Sequence, residues 1–380
     1  MSRRLPVWIL PLCWWCVSAT AAHASVSCSE DLASLPAFLF ANDAGARTEL
    51  AYWGRAHFDA ALERARTLAA ASHSDAACLR ALNDYLASWR SAELWISAGP
   101  STRGVLPAAP AAGRSRAPSL RELSARTLLL RIPSFAGEYG FALQQLLRSQ
   151  RALLAARPDW IIDVRGNHGS EGAEDGAYAV LLPWLMADGR VAIGDEWLAT
   201  AANRQDQALD CRLREPKSNE CRADMAADRQ RMQQAAPGTF VAEPPGAAVR
   251  YLRVAPLEPQ RPARVAVLVD RGCRGSCEQF LLTVRQSFSV KLVGDPSGGA
   301  VDYGHVRPHV LPSAQRVLWY ATSRSARLPG LSIDATGVQP DVYLPAPPAA
   351  GSPGDRGDAQ VRRVQGWLED GWPAERHEGG

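Results

Sequence analysis

Val265-Ala-Val-Leu-Val-Asp-Arg-Gly-Cys-Arg-Gly-Ser-Cys-Glu-Gln-Phe-Leu-Leu-Thr-Val-Arg285 runs from an apolar stretch through a glycine-punctuated turn into a helical pattern. Five consecutive apolar residues mark a strand covered on both faces, as in a parallel sheet. Glu278 to Arg285 returns apolar residues at helical spacing. Ser276 therefore stands on a turn where a strand becomes a helix. There a hydroxyl meets the positive end of the helix dipole and backbone N–H groups with no helical partner. Such a turn is suited to exposing a nucleophile beside oxyanion donors. An N-cap serine is the other reading of the same pattern.

Outward from this stretch, buried strands alternate with helices. Thr127 to Ile132 and Trp160 to Val164 read as strands, Gly140 to Ala156 and Gly176 to Leu185 as helices. Val290 to Val293 reads as a further strand, and Val306 to Leu344 is β-rich. The expected fold is α/β: a mixed, largely parallel sheet with flanking helices, occupying residues 125–345. Within it, 192–250 is polar and reads as an insertion closed by a Cys211–Cys221 pair. Residues 47–72 predict one amphipathic helix and Asp75 to Trp89 a second, giving a small N-terminal helical domain over 25–97. Residues 98–124 are rich in Ala, Pro, Gly and Arg and read as a linker, and 346–380 as a peripheral tail with a short helix near Val361 to Leu368.

The first 24 residues carry Arg3 and Arg4, then an apolar run, then Ala22-His-Ala24. This reads as a secretory signal peptide cut after Ala24; a retained N-terminal anchor is the alternative. Removing it leaves 40 basic against 39 acidic residues. So even a balance points away from nucleic acid or an anionic membrane surface as the main partner. Eight cysteines become six, an even number that suggests disulfides in an exported, periplasmic or secreted protein. Of the fifteen arrangements that six cysteines allow, spacing favours Cys211–Cys221, Cys28–Cys78 and a small Cys273–Cys277 ring around Ser276; free, buried thiols at 273 and 277 are the equal alternative. No histidine lies at ligand spacing from a cysteine pair, so no metal or other cofactor is expected.

Four segments in order resemble the tail-specific (C-terminal-processing) serine peptidases, a family that includes the tricorn core. Leu128-Leu-Leu-Arg-Ile-Pro-Ser-Phe135 resembles their Y-I-R-I-x-x-F strand. Ile161-Ile-Asp-Val-Arg-Gly-Asn-His-Gly-Ser170 resembles I-I-D-L-R-G-N-G-G-G. Val267 to Phe280 resembles the nucleophile turn V-L-V-x-x-x-T-x-S-A-A-E-x-F, and Gly337-Val-Gln-Pro-Asp341 matches G-V-x-P-D. The resemblance implies a crotonase-like core, a peptide or protein substrate, Ser276 as nucleophile and Glu278 as its acidic neighbour. It also implies oxyanion N–H groups from Gly169 (or His168) and Cys277. Residues 100 to 125 are too few for the PDZ insert that many members carry.

The base is where this chain departs from the family. A serine hydroxyl needs a proton acceptor within reach. Processing peptidases carry a lysine in G-x-x-T-x-G-K-G; here Gly294-Asp-Pro-Ser-Gly-Gly-Ala-Val301 puts Ala300 in its slot. The chain's two lysines, Lys217 and Lys291, lie elsewhere. Tricorn-like members use an N-terminal histidine and a glutamate near G-V-x-P-D. Glu93 and Asp334 stand in those slots, Asp334 as acidic partner. His305, just past the empty lysine slot, and Glu93 are the candidate bases, with His168 behind them. Two readings stay open: a serine peptidase forming an acyl-enzyme at Ser276, and an impaired relative binding peptides in the same cleft. An α/β-hydrolase esterase is disfavoured, since Gly275-Ser-Cys-Glu278 does not complete G-x-S-x-G.

Overall fold

The structure, a computed structural model, describes residues 16–90, 92–99, 117–167, 177–205, 219–242, 248–255, 261–345 and 353–372. The chain divides into two compact units, Met1–Arg103 with Pro308–Tyr320, and Gly104–Arg307 with Ala321–Gly380. Among the described residues no helix is long and apolar enough to cross a membrane.

The first unit holds α1 (Cys16–Asn42), α2 (Ala46–Trp53), α3 (Arg55–Ala70), α4 (Asp75–Ala87) and β1 (Leu94–Ala98). The span 47–72, expected as one helix, is two. Gly54 at φ +79° closes α2 through an N–H bond to the Leu50 carbonyl, and only glycine adopts that conformation without strain. Ser74 caps α4 by accepting from the Ala77 N–H. Leu32, Leu35 and Leu39 of α1 pack with Phe58, Leu82, Leu86 and Leu318 in one core. Cys28–Cys78 ties α1 to α4. β1 pairs antiparallel with residues 316–320, Leu94 opposite Tyr320.

The second unit is built on a six-stranded sheet. In chain order the elements after β1 are β2 (Ser119–Glu122), β3 (Thr127–Arg131), α5 (Gly137–Ser149), α6 (Arg151–Ala156), β4 (Asp159–Asp163), α7 (Leu182–Leu185), β5 (Gly189–Ile193), β6 (Asp195–Leu198), α8 (Ala201–Gln205), α9 (Asn219–Gln234), β7 (Phe240–Ala242), β8 (Val249–Arg253), β9 (Arg264–Val269), α10 (Ser276–Val284), β10 (Val290–Gly294), β11 (Tyr303–Val310), β12 (Arg316–Ser325), β13 (Val342–Tyr343) and α11 (Pro353–Asp370), of which the end of β11 and the start of β12, within Pro308–Tyr320, belong to the first unit. A 3-10 turn at Ala177–Leu181 precedes α7, where a longer helix was expected. The strand order is β13-β10-β9-β4-β3-β2, parallel except for the edge pair β2–β3. The fold is thus the expected mixed, largely parallel α/β sheet. Ser119–Glu122, at the end of the stretch read as linker, is its edge strand. The stretch read as an insertion carries β5 to β8; Cys211 lies outside the described residues.

Alternation along the central strands explains why they are apolar throughout. Trp160, Ile162, Val265 and Val267 face one core with Phe135 and Phe280. Ile161, Ala266 and Leu268 face the other with Val361, Val364 and Leu368 of α11. With both faces covered, a polar side chain has no wet side to turn to. The sheet's carboxyl edge therefore delivers several strand ends to one place.

Candidate active site

β9 ends at Val269, and the chain turns through Asp270 to Gly275 before α10 begins at Ser276. Asp270 Oδ1 accepts from the N–H of Gly272 at 2.9 Å and of Gly166 at 2.8 Å, joining this turn to the one after β4. A Cβ on Gly272 would stand 2.6 Å from the Gly166 Cα, so the two backbones can approach only with glycine there. The Arg274 N–H donates to the Asn167 carbonyl at 3.2 Å. The Asn167 side chain in turn bonds the Ile132 carbonyl and the Phe135 N–H. The segments around Phe135, Asn167 and Ser276 are therefore fastened to one another. Cys273–Cys277 closes a ring around Arg274, Gly275 and Ser276.

Gly275 has φ +59° and ψ −120°, and the Cys277 N–H donates to the Arg274 carbonyl at 3.2 Å. That is a type II′ turn with Gly275 at its first central position. Ser276 is the first helical residue and only 3% exposed. Its hydroxyl is closed off from solvent and has no hydrogen-bond partner among the described residues.

Glu278, fully buried, organises what surrounds the turn. Its Oε1 accepts from the Ser297 hydroxyl and, at 2.7 Å, from the Gly299 N–H. Its Oε2 accepts from the Ala300 N–H at 2.7 Å and the Gly275 N–H at 3.2 Å. The Ser297 hydroxyl also accepts from the Val338 N–H at 2.6 Å, bringing in the closing Gly337–Asp341 segment. Gly337 at φ +73° lies against the Ser297 carbonyl, where a Cβ would come within 2.2 Å. This hub is not evident from sequence, because most of its partners are backbone N–H groups that every residue type carries.

The other expected site residues have different surroundings. His305, at φ +52°, shares a hydrogen bond between Nδ1 and Ser323 Oγ at 2.8 Å. The same nitrogen is 3.8 Å from Asp195 Oδ2, and the ring lies against Trp197. No bond joins it to the Ser276 hydroxyl. Glu93 belongs to the helical unit, at φ +57°, its carbonyl accepting from Arg90. The Cys277 N–H, expected as an oxyanion donor, is engaged by the Arg274 carbonyl. Gly169 and His168 lie outside the described residues. Asp334 Oδ1 accepts from the N–H groups of Val301 at 2.6 Å and Asp302 at 2.9 Å, while Oδ2 is closed off without a partner among the described residues.

Burial, and then the charge of Asp302, push the Asp334 pKa up to about 6. A carboxyl raised in the folded state holds its proton more tightly there than in the unfolded chain. Its stabilising contribution is whole below about pH 4 and is lost as pH rises toward 6, a cost on the order of 3 kcal/mol. Asp334→Asn keeps an oxygen for both N–H groups but leaves its amide nitrogen unpaired, which takes back about 1–2 kcal/mol. The substitution should therefore stabilise the protein by about 1–2 kcal/mol at pH 8. Below pH 4 that gain should be gone. Urea denaturation at the two pH values measures it, and an equal effect at both contradicts the assignment.

The sequence pattern of peptidase family S41 matches residues 126–344, more than half of the chain. The chain belongs to peptidase family S41. The match spans every segment fastened together around Ser276. No curated protein matches this S41 chain. Two solved structures share its fold at low identity. One is a candidate peptidase from Parabacteroides merdae ATCC 43184, 13% identical, covering 90% of this chain and 96% of its own, with TM-score 0.54. The other is mature CPAF, 11% identical, covering 91% and 96%, also at 0.54.

Proposed function

We propose that this S41 member is exported, binds peptide or protein chains, and does not hydrolyse them through Ser276. The observation that carries the reading is the Ser276 hydroxyl, buried and without a hydrogen-bond partner among the described residues. A serine without a base remains protonated and weakly nucleophilic at neutral pH. Loss of a triad member costs roughly 10⁴-fold in turnover while leaving binding contributions in place. Ala300 in the lysine slot agrees with this. Export is supported by the leader-like N-terminus and by Cys28–Cys78 and Cys273–Cys277, bonds that persist in an oxidising compartment.

The test is a fluorescent pool of unstructured peptides offered to the wild type and to Ser276→Ala. Both should raise the anisotropy alike, and neither should release cleaved product. Cleavage that disappears in Ser276→Ala would restore the peptidase reading. Absence of binding by the wild type would remove the peptide half of the proposal.

A further inference from the structure

We infer that the seat of the reacting residue on this turn is Gly275, with Ala300 beside it. Both reacting side chains are then absent from a turn whose backbone bend is kept. This deepens the non-hydrolytic reading and rests on it.

The backbone is the first argument. A nucleophile at a strand-to-helix elbow occupies a strained position that carries its side chain out of the turn. The strained residue here is Gly275, at φ +59° and ψ −120°; Ser276 is already helical and buried. The register of the motif is the second. Val267-Leu-Val269 lies on V-L-V and Glu278-Gln-Phe280 on E-x-F with no gap. Counting between them puts Gly275 under the motif serine and Ser276 under the alanine that follows it.

The third argument is the state of the N–H groups. An oxyanion donor beside the seat must be free to meet substrate. The Cys277 N–H, which follows Ser276, is taken by the Arg274 carbonyl. The Ser276 N–H, which follows Gly275, has no acceptor among the described residues. Finally, Glu278 Oε2 accepts from both the Gly275 and the Ala300 N–H, at 3.2 and 2.7 Å. Two backbones sharing one oxygen are neighbours, so side chains at 275 and 300 would be within reach of each other. Ser276 is thus one residue past the position whose geometry was kept.

The experiment restores both side chains in the full chain and offers a fluorophosphonate. In Gly275→Ser/Ala300→Lys the hydroxyl at 275 adds to phosphorus, fluoride leaves, and the amine at 300 takes the hydroxyl proton. The adduct should map to position 275 and form at least about 10²-fold faster than in the wild type or either single variant, the scale of a positioned base. Adding Ser276→Ala should not change it. An adduct on Ser276, or no adduct on a double variant that keeps the wild-type denaturation midpoint, overturns the assignment. If the double variant does not fold, native-state hydrogen exchange of the wild type decides. The Ser276 amide should exchange faster than that of Cys277, and the reverse order overturns the seat. Failure of the wild type to bind peptide would leave this assignment untouched.

Discussion

Glu278→Ala is expected to destabilise the sheet-based unit by at least about 4 kcal/mol, a large share of the roughly 5–15 kcal/mol that holds an ordinary domain folded. The carboxylate accepts from Gly275, Ser297, Gly299 and Ala300 in a fully buried site. Removing it orphans four donors, each costing about 1–3 kcal/mol when no water replaces the acceptor. Water entering the new cavity recovers part of that, which is why the lower end is the expectation. Glu278→Gln should also cost several kcal/mol, because its amide nitrogen would face two N–H groups that need an acceptor. The denaturation midpoint of the two variants measures this. A loss under about 1 kcal/mol for Glu278→Ala would mean that the hub does not hold the turn.

Asp31→Ala is expected to cost the helical unit about 3–5 kcal/mol. The Arg316 side chain is 1% exposed and donates from Nη1 to Asp31 Oδ2 at 2.8 Å. Asp31 is equally closed off and also accepts from the N–H and hydroxyl of Ser313. Without the aspartate, a buried guanidinium and two Ser313 donors lose their acceptor. Asp75 meets the same arginine at 2.7 Å, but its side chain is 73% exposed. Solvent screens that pair, so Asp75→Ala should cost no more than about 1 kcal/mol from the ion pair. Equal effects of the two substitutions on the helical unit's transition would contradict the weight given to burial.

The elements legible in sequence are those that burial dictates. β3, β4 and β9 are continuous apolar runs because both sheet faces are covered, and the glycines after β4 and β9 mark their turns. The turn before α10 is legible for the same reason, since polar punctuation separates an apolar run from a helical period; the period starts at Glu278, and the helix itself starts two residues earlier at Ser276. Strands β5 to β8 were not. They are short, and Val191, Val249 and Tyr251 point outward, so their composition resembles a loop. The break at Gly54 depends on a backbone angle, and a stripe of apolar residues continues across it. At the candidate site the residue types identified the turn but left its reacting register open to a one-residue slip. Ser276 draws the eye as the only hydroxyl in the ring, whereas the distinguishing feature is the φ and ψ of a residue with no side chain. Sequence makes Glu278 a neighbour of the nucleophile; its bonds to the turn and to Ser297–Ala300, and through Ser297 to Val338, make it the acceptor around which three segments close.

This turn keeps its shape without a working nucleophile. The measurement that bears on it most directly is the mass of the wild-type protein after exposure to a fluorophosphonate at neutral to mildly alkaline pH, with peptide mapping of residues 271–285. No adduct should form on Ser276 in a protein that remains folded throughout. An adduct on Ser276, absent from Ser276→Ala, would contradict it.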